Sequence, residues 1–134
     1  MLKLYKDFSY ETVIVEPEPE GLLEQSRKVL LRYFDDKLTG LIVGDHECVE
    51  RTQETCALDF MPLWDSQDVG ASDLAIKAAA DPSVVEVTFS YRGSEDKTKL
   101  IYQLTQTSDG WRISDIHGSD WSLLSILERD QKQP

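Results

Sequence analysis

The residues of this chain that could do chemistry are mainly carboxylates and two histidines. Asp115 and His117 lie close together near the C-terminal end, and Asp59, Asp65 and Asp68 fall in an irregular middle stretch. Carboxylates that converge on a histidine can pair as general acid and base or bind a divalent metal. About fifty residues separate the two groups, however, and such side chains also satisfy backbone groups in loops and bulges. We therefore expect no enzyme activity, no metal and no cofactor.

His46 is the other histidine, and it has acids and a cysteine beside it. The spacing matches no metal-binding motif, and adjacent residues on a helix point in different directions. We interpret His46 as a surface residue. Nucleophilic catalysis has no support either, because the chain contains no Gly-x-Ser-x-Gly elbow.

Aromatic side chains supply a possible ligand pocket. If the predicted sheet is concave, its aromatic residues could line a cavity together with the nearby polar side chains. The alternatives are a protein interface, where Tyr and Trp are enriched, and ordinary core packing, which we favour. The possible pocket consists of Tyr91, Tyr102, Trp111, Asp115 and His117.

The charge of the chain restricts its partners. Its 134 residues contain 14 Lys+Arg and 25 Asp+Glu, and the formal net charge is −11. Residues 45–81 hold nine acids and two bases, so most of the excess lies in this stretch. This balance excludes phosphate-backbone binding and disfavours anionic membranes. The acidic stretch is either a solvated face or a docking surface for a basic protein. The candidate partner-binding residues are Glu47, Glu50, Glu54, Trp64, Asp65 and Asp68.

Cys48 and Cys56 are the only cysteines. On one continuous helix, eight residues rise about 12 Å, which is too far for a disulfide. A bridge becomes possible if the helix ends between them, and it would indicate an oxidising compartment. We favour buried free thiols.

The location follows from what the N-terminal sequence lacks. The first residues do not form the apolar run of a signal peptide, and no stretch approaches the roughly 20 apolar residues of a membrane span. We expect a cytoplasmic protein without a membrane span. A periplasmic location is the alternative if a leader has been removed.

Helical patterns occupy the first half of the chain. Residues 1–19 form an extension, with a possible edge strand over 9–15, and two prolines follow it. Apolar periodicity over 22–38 predicts a helix that starts near Pro19 or Glu20 and that breaks or bends at Thr39 and Gly40, and a second helix over 41–54. Residues 72–80 fit either a helical turn or a strand.

Strand patterns occupy the last third of the chain. Segments 83–92, 97–107 and 111–117 alternate in polarity, and Asp109-Gly110 is a hairpin signal. The alternation slips near Ser114, which predicts a bulge. Ser119 or Asp120 should cap a helix over 121–128, before a polar tail over 129–134. These elements predict one α+β domain, with N-terminal helices packed on a curved antiparallel sheet of three to four strands and a short C-terminal helix.

The C-terminal third contains the run Gly-Trp-Arg-Ile-Ser-Asp-Ile over residues 110–116, followed by Ser122 and Leu123. This pattern resembles a family of uncharacterised bacterial domains in the nuclear-transport-factor-2-like, or cystatin-like, superfamily. The loop 58–68 and the helix that carries Tyr33 and Phe34 are also similar, so the resemblance spans roughly residues 20–128.

The resemblance implies helices on a strongly curved sheet that forms a cone with a cavity. Members of the superfamily include enzymes, small-molecule binders and immunity proteins that neutralise secreted bacterial toxins. The residues expected to point inward here are apolar and favour a filled core: Val85, Val87, Phe89, Leu100 and Leu104.

We therefore predict a non-catalytic bacterial binding module, an immunity or inhibitor protein that occludes a basic partner such as a secreted toxin. Acids would steer the partner, and aromatic anchors would bury at the contact. The alternatives are a small-ligand binder or enzyme that uses the cone, and a structural domain of the cell envelope. The apolar strand faces are compatible with a homodimer.

Overall fold

The computed structural model describes residues 24–58, 60, 62, 71–91 and 97–131. The predicted edge strand over 9–15, most of the loop 58–68 and the last residues of the tail lie outside these ranges. The described elements are α1 (Arg27–Leu30), α2 (Asp36–Thr52), β1 (Ala71–Ala78), β2 (Val84–Tyr91), β3 (Lys97–Thr107), β4 (Gly110–His117) and α3 (Leu123–Gln131).

The four strands form one antiparallel sheet in the order β1-β2-β3-β4. Helices therefore precede an antiparallel sheet and a short helix follows it, which confirms the predicted α+β class. The segment that fitted either a helical turn or a strand is strand β1. Alternation along β2 and β3 also holds, because Val87, Phe89, Leu100 and Tyr102 are all fully buried.

The predicted irregularity in β4 is a bulge at Ser114. Gln103 pairs with Asp115, but the next residue of β3, Leu104, pairs with Ile113, so Ser114 is the extra residue. A regular strand would place Ile113 and Ile116 on opposite faces. Because of the inserted residue, both isoleucines are buried.

The predicted long helix over 22–38 is wrong. Helix α1 has a single turn, and α2 begins at Asp36 and runs through Thr39 and Gly40, where we expected a break or a bend. The Asp35 carboxylate starts α2 by accepting a hydrogen bond from the backbone N–H of Leu38 at 2.8 Å. A glycine inside a helix costs only about 1 kcal/mol relative to alanine, so Gly40 does not stop α2.

The chain before α2 is held by strand β4. The Ile113 N–H donates to the Tyr33 carbonyl at 2.7 Å, and the Asp35 N–H donates to the Ile113 carbonyl at 2.9 Å. The N–H groups of Tyr33 and Phe34 still donate to the Leu30 carbonyl, so only the Tyr33 carbonyl and the Asp35 N–H exchange helical partners for Ile113, which gives a parallel bridge between Phe34 and Ile113. Pairing with a strand that is distant in the sequence therefore ends the helix, although the apolar periodicity continues.

The core lies between the sheet and the helices. Lys37 of α2 forms a salt bridge with Glu128 of α3 at 2.7 Å, which joins the two helices at the surface. The buried hydrophobic residues are Leu30, Tyr33, Phe34, Leu38, Ile42, Val87, Phe89, Leu100, Tyr102, Ile113, Ile116, Leu123 and Leu127.

Candidate functional site

A cleft of about 350 Å³ opens between the beginning of α2 and the β3–β4 turn. Most of its lining side chains are charged or carry a hydroxyl group, and two are apolar. The lining residues are Leu31, Phe34, Asp35, Asp36, Lys37, Thr107, Ser108, Asp109 and Arg112.

Local hydrogen bonds shape the turn that forms one wall of the cleft. The Thr107 hydroxyl donates to the Gly110 carbonyl at 2.7 Å and accepts from the Asp109 N–H at 3.2 Å. Gly110 has φ +108°, a backbone conformation that side chains oppose. The β3–β4 turn that the hairpin signal predicted therefore places Ser108 and Asp109 beside the start of α2.

Arg112 is the fixed cation of the cleft. Its Nε donates to the Leu31 carbonyl at 2.9 Å, and its Nη1 donates to the Trp111 carbonyl at 3.0 Å. The side chain is half-buried, and no carboxylate forms an ion pair with it within the described part of the chain. Two carbonyl oxygens thus hold the guanidinium in place without neutralising its charge.

The other charged side chains of the cleft differ in the partners that they bind. Asp35 caps α2, and the Lys37 ammonium pairs with Glu128. The hydrogen bond with Glu128 and the charge of that carboxylate raise the pKa of Lys37. Asp36 and Asp109 are exposed and form no ion pair with another described residue. The cleft could therefore bind an anion at Arg112 and a cationic group at these two carboxylates.

Asp115, a predicted pocket residue, is only 4% exposed and binds groups of its own chain. Its carboxylate accepts from the backbone N–H groups of Ile116 at 2.8 Å and Leu124 at 2.9 Å, and from the Ser122 hydroxyl at 2.7 Å. The His117 Nε2 lies 3.1 Å from the same carboxylate. The carboxylate thus stands between the hydroxyl and the imidazole, whereas a catalytic triad needs the imidazole in the middle.

Ser122 begins α3, which corrects the predicted cap. Its hydroxyl accepts from the Ser125 N–H at 3.2 Å while it donates to Asp115. The predicted caps Ser119 and Asp120 instead lie in the turn that precedes the helix. The Asp115 carboxylate selects the later start because it also binds the N–H of Leu124.

The aromatic residues of the predicted pocket occupy different environments. Tyr102 is fully buried in the core, whereas Trp111 is 45% exposed and is not part of the cleft lining. The side chain of Tyr91 lies outside what the structure describes. The pocket within a cone stays a prediction.

The acidic candidates are partly described. Glu47 and Glu50 are exposed on α2, and Glu54 is exposed just beyond its end. The His46 Nε2 lies 3.2 Å from a Glu50 carboxylate oxygen one helical turn away, in keeping with a surface histidine. Four further candidates lie outside the described residues: Asp59, Trp64, Asp65 and Asp68.

Cys48 and Cys56 form a disulfide, so the favoured prediction of free thiols is wrong. The bridge is possible because α2 ends at Thr52 and Gln53 adopts φ 59°, which turns the chain back and leaves the Cα atoms 6.3 Å apart. The buried Asp45 carboxylate accepts from the Ala57 N–H at 2.7 Å, so a second contact holds the returning segment.

Sequence reasoning missed the cleft. The hairpin signal at Asp109-Gly110 and the cation two residues later are visible in the sequence. The Leu31 carbonyl that fixes Arg112 is not, because it comes from a turn 81 residues away. Within the ranges that the structure describes, no three His, Cys, Asp or Glu side chains are grouped to hold a metal ion.

Comparison with known proteins does not assign a family. No protein-family model matches the chain, and no curated protein matches it. A solved structure of a phospholipid-binding protein from Ralstonia solanacearum, in complex with a phospholipid, is similar over 94% of this chain and 69% of that chain. The identity is 17% and the TM-score 0.40. Membership of the nuclear-transport-factor-2-like superfamily stays a prediction. None of the helices described is both long and apolar enough to cross a membrane.

Proposed function

We propose that this protein is a non-catalytic binding module that takes a small polar ligand in the cleft beside the β3–β4 turn. The observation that carries the proposal is the state of Arg112. The residue is half-buried, and its guanidinium is held by the carbonyls of Leu31 and Trp111 and lines a cleft of about 350 Å³ without a carboxylate partner among the described residues. A cation that is already held in place can bind an anionic group with little further loss of side-chain entropy.

The composition of the cleft supports binding rather than reaction. The lining residues include neither histidine nor cysteine. One of the aspartates is committed to capping α2, and the lysine is paired with Glu128. These groups can orient a ligand by charge and hydrogen bonds.

Isothermal titration calorimetry with acetate, succinate, inorganic phosphate and short peptides tests the proposal. We expect saturable binding of at least one of these probes to the wild-type chain. Arg112→Gln should lose that binding, and Arg112→Lys should weaken it because lysine lacks the guanidinium fork. Arg129→Gln is the matched control, because Arg129 is an exposed arginine on α3. Circular dichroism and the Tm of each variant establish that it folds.

Two results would count against the cleft as a ligand site. One is the absence of heat from every probe at millimolar concentration. The other is an equal loss of binding in Arg112→Gln and in Arg129→Gln, since the second variant lies outside the cleft.

A second candidate function is docking on a basic protein, as an immunity or inhibitor protein would do. It is supported by the exposed carboxylates of Glu47, Glu50 and Glu54 at the end of α2, which the disulfide holds next to the returning chain. The partner to test is the product of a neighbouring gene. Size-exclusion chromatography should show a complex that the variant E47Q/E50Q/E54Q fails to form, whereas D36N/D109N still forms it. A complex that survives the triple substitution would exclude this surface.

A further inference from the structure

We infer that the cleft selects small zwitterions, molecules that carry an oxyanion and an ammonium group. This inference rests on the proposed function, since it requires that the cleft is a ligand site. It adds the charge pattern of the ligand, which follows from the hydrogen bonds and salt bridges that the charged groups of the cleft already form.

The oxyanion end of the ligand is assigned to Arg112. A guanidinium has five N–H donors, and the Leu31 and Trp111 carbonyls take one from Nε and one from Nη1. Three donors are left, including both on Nη2. Two N–H groups of a planar fork can bind the two oxygens of a carboxylate or phosphate in parallel.

The ammonium end is assigned to Asp36 and Asp109. Asp36 stands in the first turn of α2, and Asp109 stands in the β3–β4 turn, so they come from two walls of the cleft. Both are exposed, and neither forms a salt bridge with any other residue described in the structure. A ligand ammonium between them would supply the counter-charge that the chain does not.

The excess of negative charge in the cleft favours zwitterions over simple anions. Three carboxylates line it, against Arg112 and Lys37, and the Lys37 ammonium is drawn to Glu128 at 2.7 Å. A simple anion bound to Arg112 would therefore meet an excess of negative charge. The ammonium of a zwitterion removes this repulsion and adds an attraction. The volume of about 350 Å³ lies at the small end of ligand pockets and suits an amino acid, a dipeptide or a headgroup of similar size.

Calorimetry with matched probes tests the inference. Glycylglycine and O-phosphoethanolamine are the zwitterions, succinate and phosphate the simple anions, and ethanolamine the simple cation. For the wild-type chain we expect each zwitterion to bind about tenfold more tightly than the simple anions, because only its ammonium attracts the exposed carboxylates of Asp36 and Asp109, whose charges are partly screened by solvent. In D36N/D109N the zwitterions should lose affinity and the anions should gain it, so that the difference disappears.

A matched control removes the same number of charges elsewhere. The variant E24Q/D120N lacks two exposed carboxylates that are not part of the cleft lining, and it should keep the wild-type preference. Arg112→Gln should lose zwitterions and anions alike. Vesicles that contain phosphatidylethanolamine, compared with free phosphoethanolamine, show whether the zwitterion is a lipid headgroup or a free molecule.

The outcomes separate the two proposals. If succinate or phosphate binds as tightly as the zwitterions, or if E24Q/D120N loses the preference as D36N/D109N does, the inference is overturned while the cleft stands as a ligand site. If no probe binds to the wild-type chain, the proposed function itself fails.

Discussion

Asp115 connects the end of β4 with the beginning of α3. Its carboxylate is buried and accepts hydrogen bonds from two backbone N–H groups and the Ser122 hydroxyl. Asp115→Ala leaves these donors without their acceptor, and an unsatisfied buried donor costs about 1–3 kcal/mol. We expect the free energy of unfolding to fall by about 3 kcal/mol in urea titrations, most of it from the two N–H groups.

Two variants serve as controls for this expectation. Ser122→Ala removes one hydroxyl partner and should cost about 1 kcal/mol. Asp120→Asn changes an exposed carboxylate next to the helix and should stay within about 0.5 kcal/mol. If Asp115→Ala matched Asp120→Asn, the carboxylate would not hold α3.

The carboxylates of Asp81, which is exposed, and Glu86, which is half-buried, predict the response to acid. The backbone N–H and the hydroxyl of Ser83 lower the pKa of Asp81, and the hydrogen bond from Lys99 lowers the pKa of Glu86. A lowered pKa in the folded state gives a contribution to stability that is complete above the pKa of the unfolded chain and is lost as the pH falls through the folded pKa. The Tm should therefore decline below about pH 4.5, and less steeply in the variant D81N/E86Q. Equal slopes in both proteins would contradict the assignment.

For single residues, the sequence can predict side-chain roles that depend on residues nearby in the chain. The bulge near Ser114 follows from a slip in alternation, and an aspartate beside it is a plausible partner for backbone groups. The bond between Asp115 and the N–H of Leu124 depends on where α3 docks, and no local pattern contains that information.

Among the elements, the end of α2 is held by two contacts, the Cys48–Cys56 disulfide and the bond from Ala57 to Asp45. A disulfide that closes a loop of about nine residues contributes about 2.5 kcal/mol in the chain-entropy treatment. We expect the chain to unfold at lower urea concentration when dithiothreitol is present. The variant C48S/C56S should behave like the reduced chain and should not respond to dithiothreitol. Oxidised and reduced chains with the same urea midpoint would show that the disulfide adds nothing to stability.

Strands β2, β3 and β4 were predictable, whereas β1 stayed open between a helical turn and a strand, and the boundary between the first two helices was not predicted. Strand alternation is a local property, so the buried positions of β2 and β3 follow from residue order. Tyr33 to Asp35 continue a helical pattern, yet their backbone pairs with Ile113. Tertiary pairing overrides the local preference there, so the helical pattern is interrupted at Tyr33 to Asp35 and not at Thr39 and Gly40, where the sequence predicted it.

For the whole molecule, the net charge of −11 is the dominant long-range property. Mutual repulsion destabilises a compact chain with such a charge, and salt shortens the reach of that repulsion to about 8 Å at physiological ionic strength. We expect the Tm to rise as sodium chloride increases from about 10 mM to about 0.2 M. The variant E47Q/E50Q/E54Q should have a higher Tm in low salt and a weaker salt dependence. A Tm that falls with salt would show that surface pairs such as Lys37–Glu128 outweigh the repulsion.

The candidate site could not be predicted because it belongs to the assembled molecule. The acidic stretch 45–81 is visible in the composition, and two of its carboxylates are exposed on α2. The cleft instead joins the start of α2 with the β3–β4 turn, two segments that meet only in the folded chain. The charge of Arg112 is plain from the sequence, but its confinement by the Leu31 carbonyl is not.

The pairing of Tyr33 and Asp35 with Ile113 has a consequence for synthesis on the ribosome. The segment that leads into α2 obtains two of its backbone partners from a residue near the C-terminal end. At roughly 5–20 residues per second, these partners emerge several seconds after the helix itself. During that interval the apolar side of α2 has no finished sheet to cover it, so a nascent chain stalled before Ile113 exposes a natural recognition surface for chaperones.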